Sequence, residues 1–146
     1  MSNKIIIING PNINLLGERE QSQYGSITFD ELKEICINKS KELGLEIEFT
    51  QSNIEGELVN LIQDSRKKYD GMIINAAAFT HTSVAIRDAL SVFKKPTIEL
   101  HLSNIYKREE FRHKSLISDI VDGGIFGLGE NGYILAIIAM QKVLSR

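Results

Sequence analysis

The chain has 146 residues, 42% of them apolar and 25% charged, with a net charge of −2. That is enough for one folded domain, residues 1–146, with a real core, and it excludes an intrinsically disordered chain. The charge excludes a broad basic face for nucleic acid, and a single cysteine, Cys36, excludes an internal disulfide and argues against a cysteine-based zinc site.

Met1 leads almost directly into a strand, with no basic and apolar leader, and the longest apolar run, residues 133–140, is far too short to cross a bilayer. A soluble cytoplasmic protein with no membrane partner is expected. Residues 5–8 are four consecutive isoleucines closed by Asn9, the pattern of a buried parallel strand running into a loop. That loop carries Gly10, Pro11, Asn12, Asn14 and Gly17, then Glu18, Arg19 and Glu20, and ends at Tyr24 and Gly25. Nothing regular is expected in it before Thr28. A segment this long without structure is usually functional or disordered, and the apolar pair Leu15 and Leu16 argues for a working loop.

Thr28 and Glu31 make a capping box that opens a helix ending near Leu43, with Gly44 as its stop and Cys36 on its apolar side. Residues 45–50 alternate Leu45, Ile47 and Phe49 with acidic Glu46 and Glu48, which reads as an edge strand with one wet face. Ser52 and Glu55 suggest a second capping box. The helix after it places Leu58, Leu61 and Ile62 inward and Arg66, Lys67 and Lys68 at its dipole-favoured end. A third strand over residues 72–75 again closes on asparagine, Asn75, before a loop to His81. The third helix starts near Thr82 or Ser83 and runs through Val84, Ile86, Leu90 and Phe93. A strand over residues 96–102, a short polar helical piece over about 104–111, a strand over 123–128 and a helix over 129–144 complete the chain. Strands alternating with helices at these spacings predict a three-layer α/β/α fold, a five-stranded parallel sheet of flavodoxin-like order 2-1-3-4-5.

In such a sheet ligands bind outside the carboxyl ends of the strands, where strand order reverses. Those ends here carry Asn9, Asn12, Arg19 and Tyr24, then Asn75 and His81, then Glu99, His101 and Ser103, with Arg108 and Arg112 following. Glu99 and His101 stand two apart in a strand and so share a face. A carboxylate there can orient an imidazole, fix its tautomer and make it a general acid; a satisfied buried pair with no task is the plainer alternative. Arg19 and Tyr24 could supply a base. A free tyrosine titrates near about 10, so its use at neutral pH asks for roughly 4 kcal/mol of preference for tyrosinate, which a close guanidinium can help provide. Spacing alone favours an ordinary loop tyrosine and a solvated arginine. His81, at the start of a helix, suits a neutral hydrogen-bonding role, whereas His113 reads as solvent-facing. Residues 127–132 fit G-x-G-x-x-G, but no further strand or acidic residue follows at the required distance, so a tight turn is the better account.

Three stretches resemble one family, the type II 3-dehydroquinate dehydratases. Asn9-Gly10-Pro11-Asn12 through Gly17 and Arg19, with Tyr24 and Gly25 behind, is similar to its first motif. The run from Thr80 and His81 to Asp88 and Leu90 is similar to its second, and Glu99, His101, Ser103 and Asn104, then Arg108 and Arg112, to its third. The resemblance implies reversible anti loss of water from 3-dehydroquinate to give 3-dehydroshikimate through an enolate, in the shikimate or quinate pathway. It implies Tyr24 as the base, Arg19 beside it, His101 paired with Glu99 as the acid, and Asn12 holding a water on the enolate oxygen. Asn75, His81, Leu102, Ser103 and Arg112 would bind substrate and Asp88 would reach a neighbouring subunit's site. Residues 18–24, including Arg19 and Tyr24, would form a lid, with Arg108 mobile. It also implies no metal or organic cofactor, and a homo-oligomer, a dodecamer built from trimers. The chain departs from the family pattern after the third strand, where Ala76 and Ala77 replace proline and glycine. If the glycine position needs positive φ, Ala77 costs about 1 kcal/mol. Gln21 also replaces a proline, which implies a looser lid.

A flavin- or phosphate-binding protein of this fold would need a hydroxyl-rich or glycine-rich phosphate loop after the first strand, and residues 10–17 hold no serine or threonine. A non-catalytic interaction domain would have no need of Tyr24, Arg19, Glu99 and His101 together.

Overall fold

The structure, a computed structural model, describes residues 2–18 and 20–146. Its centre is strand β1, Lys4–Asn9, whose isoleucines alternate between two cores. Ile5 and Ile7 face one helical layer and Ile6 and Ile8 the other, and all four are essentially inaccessible to water. Burial on both faces is why the strand reads as an unbroken apolar run, each side chain contributing about 1.5–3 kcal/mol.

The remaining elements follow in βα alternation. After β1 come a short helix α1 (Gln21–Tyr24), helix α2 (Phe29–Glu42), β2 (Glu46–Gln51), α3 (Glu55–Lys68), β3 (Gly71–Asn75) and α4 (Val84–Phe93). Then come β4 (Thr97–His101), β5 (Gly123–Phe126) and α5 (Asn131–Leu144). All neighbouring strands pair in parallel in the order β2-β1-β3-β4-β5, so β2 is an edge. Leu32 and Cys36 of α2 pack with Tyr133, Ile137 and Met140 of α5 over one face. Leu58 and Ile62 of α3 and Ile86, Leu90 and Phe93 of α4 cover the other.

The expected capping box is present: the Thr28 hydroxyl accepts the Glu31 N–H at 3.1 Å, and the Thr28 N–H donates to the Glu31 carboxylate at 3.3 Å. The second is not. Helix α3 begins only at Glu55, with Ile54 at its cap and no side-chain cap bond. The Ser52 hydroxyl instead accepts the Ile54 N–H at 3.0 Å and donates to Glu57 at 2.5 Å. It therefore holds the approach to the helix, because the helix starts two residues later than the motif implies.

The stretch after β1 is also more regular than expected. A 3-10 turn, Ile13–Leu15, and α1 both lie before Thr28. Ile13, Leu16 and Tyr24 join the core, while Leu15 stays exposed, so of the apolar pair that argued for a working loop only Leu16 helps to fold it. The polar piece after β4 is two 3-10 turns, Ile105–Lys107 and Glu110–Arg112, and not one helix. The loop before α4 is a 3-10 turn, Ala77–His81. On α4 itself, Ser83 caps through the Ile86 N–H, and Val84 points outward, 59% exposed.

The loops after β1 and β3 meet closely. The Gly10 N–H donates to the Asn75 carbonyl at 2.7 Å, and a Cβ on Gly10 would stand 2.5 Å from the Ala76 carbonyl oxygen, so no side chain fits there. One residue on, Ala77 has φ +52°, the left-handed region that glycine adopts freely and alanine does not. Ala77→Gly should relieve that strain against a smaller loss of chain entropy, for a net stabilisation of about 0.5–1 kcal/mol. Urea unfolding midpoints of the two proteins check it; an unchanged or lower midpoint for Ala77→Gly contradicts the strain argument.

Candidate active site

The carboxyl ends of β1, β3 and β4 open onto one cavity of about 120 Å³. Its floor is held by a buried polar bridge. The Tyr133 hydroxyl, carried in by α5, donates to Asn9 Oδ1 at 2.6 Å and accepts from Asn75 Nδ2 at 3.0 Å. Asn75 Oδ1 takes the Ala77 N–H at 3.1 Å, and Asn9 Nδ2 donates to the Thr50 carbonyl at 2.9 Å. Both asparagine side chains are thereby fixed in orientation. Burial pushes the Tyr133 phenol well above its ordinary range, so it stays a neutral hydrogen-bonding group. Sequence reading treated Tyr133 only as part of an apolar run; its partner Asn9 lies 124 residues away, a distance no local pattern spans.

Glu99 and His101 sit on one face of β4, as their spacing implies, with His101 Nε2 2.6 Å from Glu99 Oε2 and both side chains buried. The histidine lines the cavity and the carboxylate lies behind it. Burial alone would raise the Glu99 carboxyl. Hydrogen bonds from His101, Ser118 and Ser115 outweigh it and hold the group below the usual carboxylate range. With Nε2 engaged, Nδ1 is the imidazole atom left for chemistry. Its ring stacks at 6.3 Å on His81, which also lines the cavity.

His81 lies at the end of the 3-10 turn and not on the helix itself. Its Nδ1 stands 2.8 Å from the Lys114 carbonyl, which can only accept, so Nδ1 carries the hydrogen and Nε2 is an acceptor when the ring is neutral. Burial first, then the neighbouring His101 and Arg112, lowers its pKa. The neutral form is therefore the expected one, for a reason broader than the helix end.

Tyr24, the last residue of α1, reaches the cavity from the segment after β1 with only 9% of its surface exposed. The Arg108 guanidinium lies over its ring, 5.1 Å from the centroid. The Arg108 side chain is buried: one nitrogen donates to the Ser103 hydroxyl at 3.3 Å, another stands 3.8 Å from Glu20, and its Nε, 3.9 Å from Glu109, has no hydrogen-bond partner among the described residues. Arg112 also lines the cavity, its Nε held by both Glu109 oxygens at 3.2 and 3.3 Å. Asn12, Leu102 and Ser103 line it too. Asn12 has φ +72°, and its N–H donates to Asn53 at 2.9 Å, which turns the chain back over the strand ends.

Two expected site residues are not among these. Arg19 lies outside the described residues. Asp88 is exposed on α4, in a separate groove with Val59 and Arg66. His113, expected to face solvent, is half-buried, with Nε2 3.0 Å from the Arg108 carbonyl and its ring 5.6 Å from Tyr106. The short turn Glu110–Arg112 folds it back onto the preceding one. Ser115 and Ser118, which sequence reading did not single out, meet Glu99 from 16 and 19 residues away.

The family model for dehydroquinase class II matches residues 3–141. The chain is 55% identical to the 3-dehydroquinate dehydratase of Endomicrobium trichonymphae, over 97% of this chain and 99% of that one. It is likewise 55% identical to the 3-dehydroquinate dehydratase of Clostridium perfringens strain SM101, over 95% and 96%. Among solved structures, the type II dehydroquinase from Propionibacterium acnes superposes with a TM-score of 0.94 at 42% identity, covering 97% of this chain and 98% of that one. A 3-dehydroquinate dehydratase-like protein from Bifidobacterium longum superposes at 0.75 with 34% identity, covering the whole of both chains. A parallel sheet of this order, a strand-end cavity built around a histidine–glutamate pair, and these matches along nearly the full length agree: the chain belongs to the dehydroquinase class II family.

Proposed function

We propose that the strand-end cavity removes water from 3-dehydroquinate by an anti elimination through an enolate, with Tyr24 as base and His101 as acid. As a member of its family the chain is a lyase of the shikimate pathway that catalyses this dehydration. The observation that carries the division of roles is that one cavity receives two differently prepared groups. His101 is gripped by Glu99 at 2.6 Å, and Tyr24 lies beneath the Arg108 guanidinium.

The roles follow from charge. Arg19, from the same lid segment, would favour the tyrosinate that a base must become, and the Arg108 guanidinium lies over the Tyr24 ring. Tyrosinate takes the proton beside the ketone. Electrons move onto the carbonyl oxygen, where a water held by Asn12 hydrogen-bonds the enolate. The enolate collapses, the carbon–oxygen bond to the leaving hydroxyl breaks, and His101 Nδ1 gives that oxygen its proton, so water departs. Tyr24 ends protonated and His101 deprotonated, and exchange with solvent resets both. His81, Asn75, Arg112 and the amides of Leu102 and Ser103 would bind the substrate's hydroxyls and carboxylate. A neutral His81 offers Nε2 to a hydroxyl, and Arg112 offers a cation to the carboxylate.

Tyr24→Phe removes the base and keeps the ring. Turnover should fall by about 10²–10⁴-fold while calorimetric binding of 3-dehydroquinate stays measurable. Near-wild-type turnover would remove Tyr24 from the role.

The finer setting belongs to the same reading: residues 1–146 act as one catalytic domain in the cytoplasm, assembled as trimers grouped into a dodecamer. Among the described residues no helix is long and apolar enough to cross a membrane. Ile54, Val84 and Val92 lie exposed at 57%, 59% and 51%, apolar surface that an assembly would cover. Asp88 stands beside Val92 in a groove away from its own cavity, in keeping with service to a neighbouring subunit. Sedimentation equilibrium should return the dodecamer mass, and a monomer at micromolar concentration would contradict it.

A further inference from the structure

We infer that Ser115 and Ser118 are positioning residues for the proton donor: they fix Glu99 as a carboxylate, and so hold His101 in the orientation the elimination needs. This rests on the assignment of His101 as the acid and extends it to residues that the roles above leave unused.

The geometry of the hydroxyls is determined. Ser115 Oγ accepts the N–H groups of Ile117 at 3.2 Å and Ser118 at 3.1 Å. Both of its lone pairs are thus occupied, and its hydrogen is left for Glu99 Oε2, 3.0 Å away. The Ser118 hydroxyl meets the other oxygen, Oε1, in a short contact. With His101 Nε2 on Oε2, the carboxylate accepts three hydrogen bonds and lies buried. Because Ser115 can only donate there, a protonated Glu99 could not present its hydrogen on Oε2 without losing a partner. At Oε2 the surroundings therefore favour the ionised form.

The two serines are themselves anchored. Ile117, between them, is fully buried in the core beneath α3 and α4. The Leu116 N–H donates to the Thr80 carbonyl at 2.8 Å, and the Asp122 N–H to the Thr97 carbonyl at 3.0 Å. The carbonyl just before Ser115, that of Lys114, holds His81 Nδ1. One short segment, residues 114–118, therefore sets both histidines of the cavity from outside it.

Ser118 is exposed as a residue, so Ser118→Ala leaves the core intact and Ser118→Thr has room for its methyl. The test compares kcat, KM and thermal midpoint for the wild type, Ser118→Ala, Ser118→Thr and Ser115→Ala. Each is made with His101 present and in a His101→Ala background. The His101 Nε2–H proton resonance is followed in the ¹⁵N-histidine-labelled His101 proteins. Losing one hydrogen bond to a charged group should lower kcat in Ser118→Ala roughly ten-fold, with KM within about two-fold. The His101 resonance should move, Ser118→Thr should recover the wild-type kcat, and Ser118→Ala should have no further effect once His101 is alanine. A wild-type kcat in both Ser118→Ala and Ser115→Ala would overturn the proposal, as would an equal loss in the His101→Ala background. If Ser115→Ala fails to fold, Ser118→Ala and its threonine counterpart decide alone. Wild-type turnover by His101→Ala itself would instead remove the acid assignment, and the positioning role with it, so the two failures are distinguishable.

Discussion

A carboxylate in a protein interior is costly unless donors surround it, and Glu99 is the buried carboxylate that this site is arranged to satisfy. It sits near the end of a strand that the sheet encloses, between the imidazole of His101 and the hydroxyls of Ser115 and Ser118. Meeting that one requirement ties β4 to the loop that precedes β5 and fixes the ring that faces the cavity. The charge that makes the strand end chemically useful also dictates how the chain beyond it must run. The parallel sheet supplies the reason it lies at the carboxyl end: crossover helices cover both faces, which leaves the strand ends and their loops as the place where polar groups converge.

The opposite wall obeys the same rule with neutral groups. At the point where strand order reverses, β1 and β3 both end in asparagine, and their side chains are bridged by a hydroxyl brought from α5. That bridge leaves no buried amide to wander, and it places the loops of the two strands so close that Gly10 has no space for a side chain. The segment after β1 packs onto this end of the sheet. Tyr24 enters the core from α1, and the Arg108 guanidinium covers it, joined to Ser103 and lying near Glu20.

What was legible in the sequence was whatever depends on periodicity or on close spacing. The four isoleucines gave away a doubly buried strand, Thr28 and Glu31 a helix start, and the two-residue step from Glu99 to His101 a shared face. The motifs carried the family and the cavity. What depends on folding at a distance was hidden. Ser115, Ser118 and Tyr133 look like loop or core residues until the chain brings them to Glu99, Asn75 and Asn9. Ser52 looked like a cap because its spacing to Glu55 fits, but the hydroxyl accepts the Ile54 N–H, ahead of the helix, instead. The left-handed turn at Ala77 was readable only as a conditional, since alanine does not advertise a positive φ as glycine would.

A cavity that dehydrates 3-dehydroquinate with the chain's own acid and base needs nothing added but substrate. The most direct measurement is near-ultraviolet absorbance of the purified protein mixed with 3-dehydroquinate in the presence of a chelator. Absorbance should rise as the conjugated enone of 3-dehydroshikimate forms. A flat trace from folded, assembled protein would contradict it.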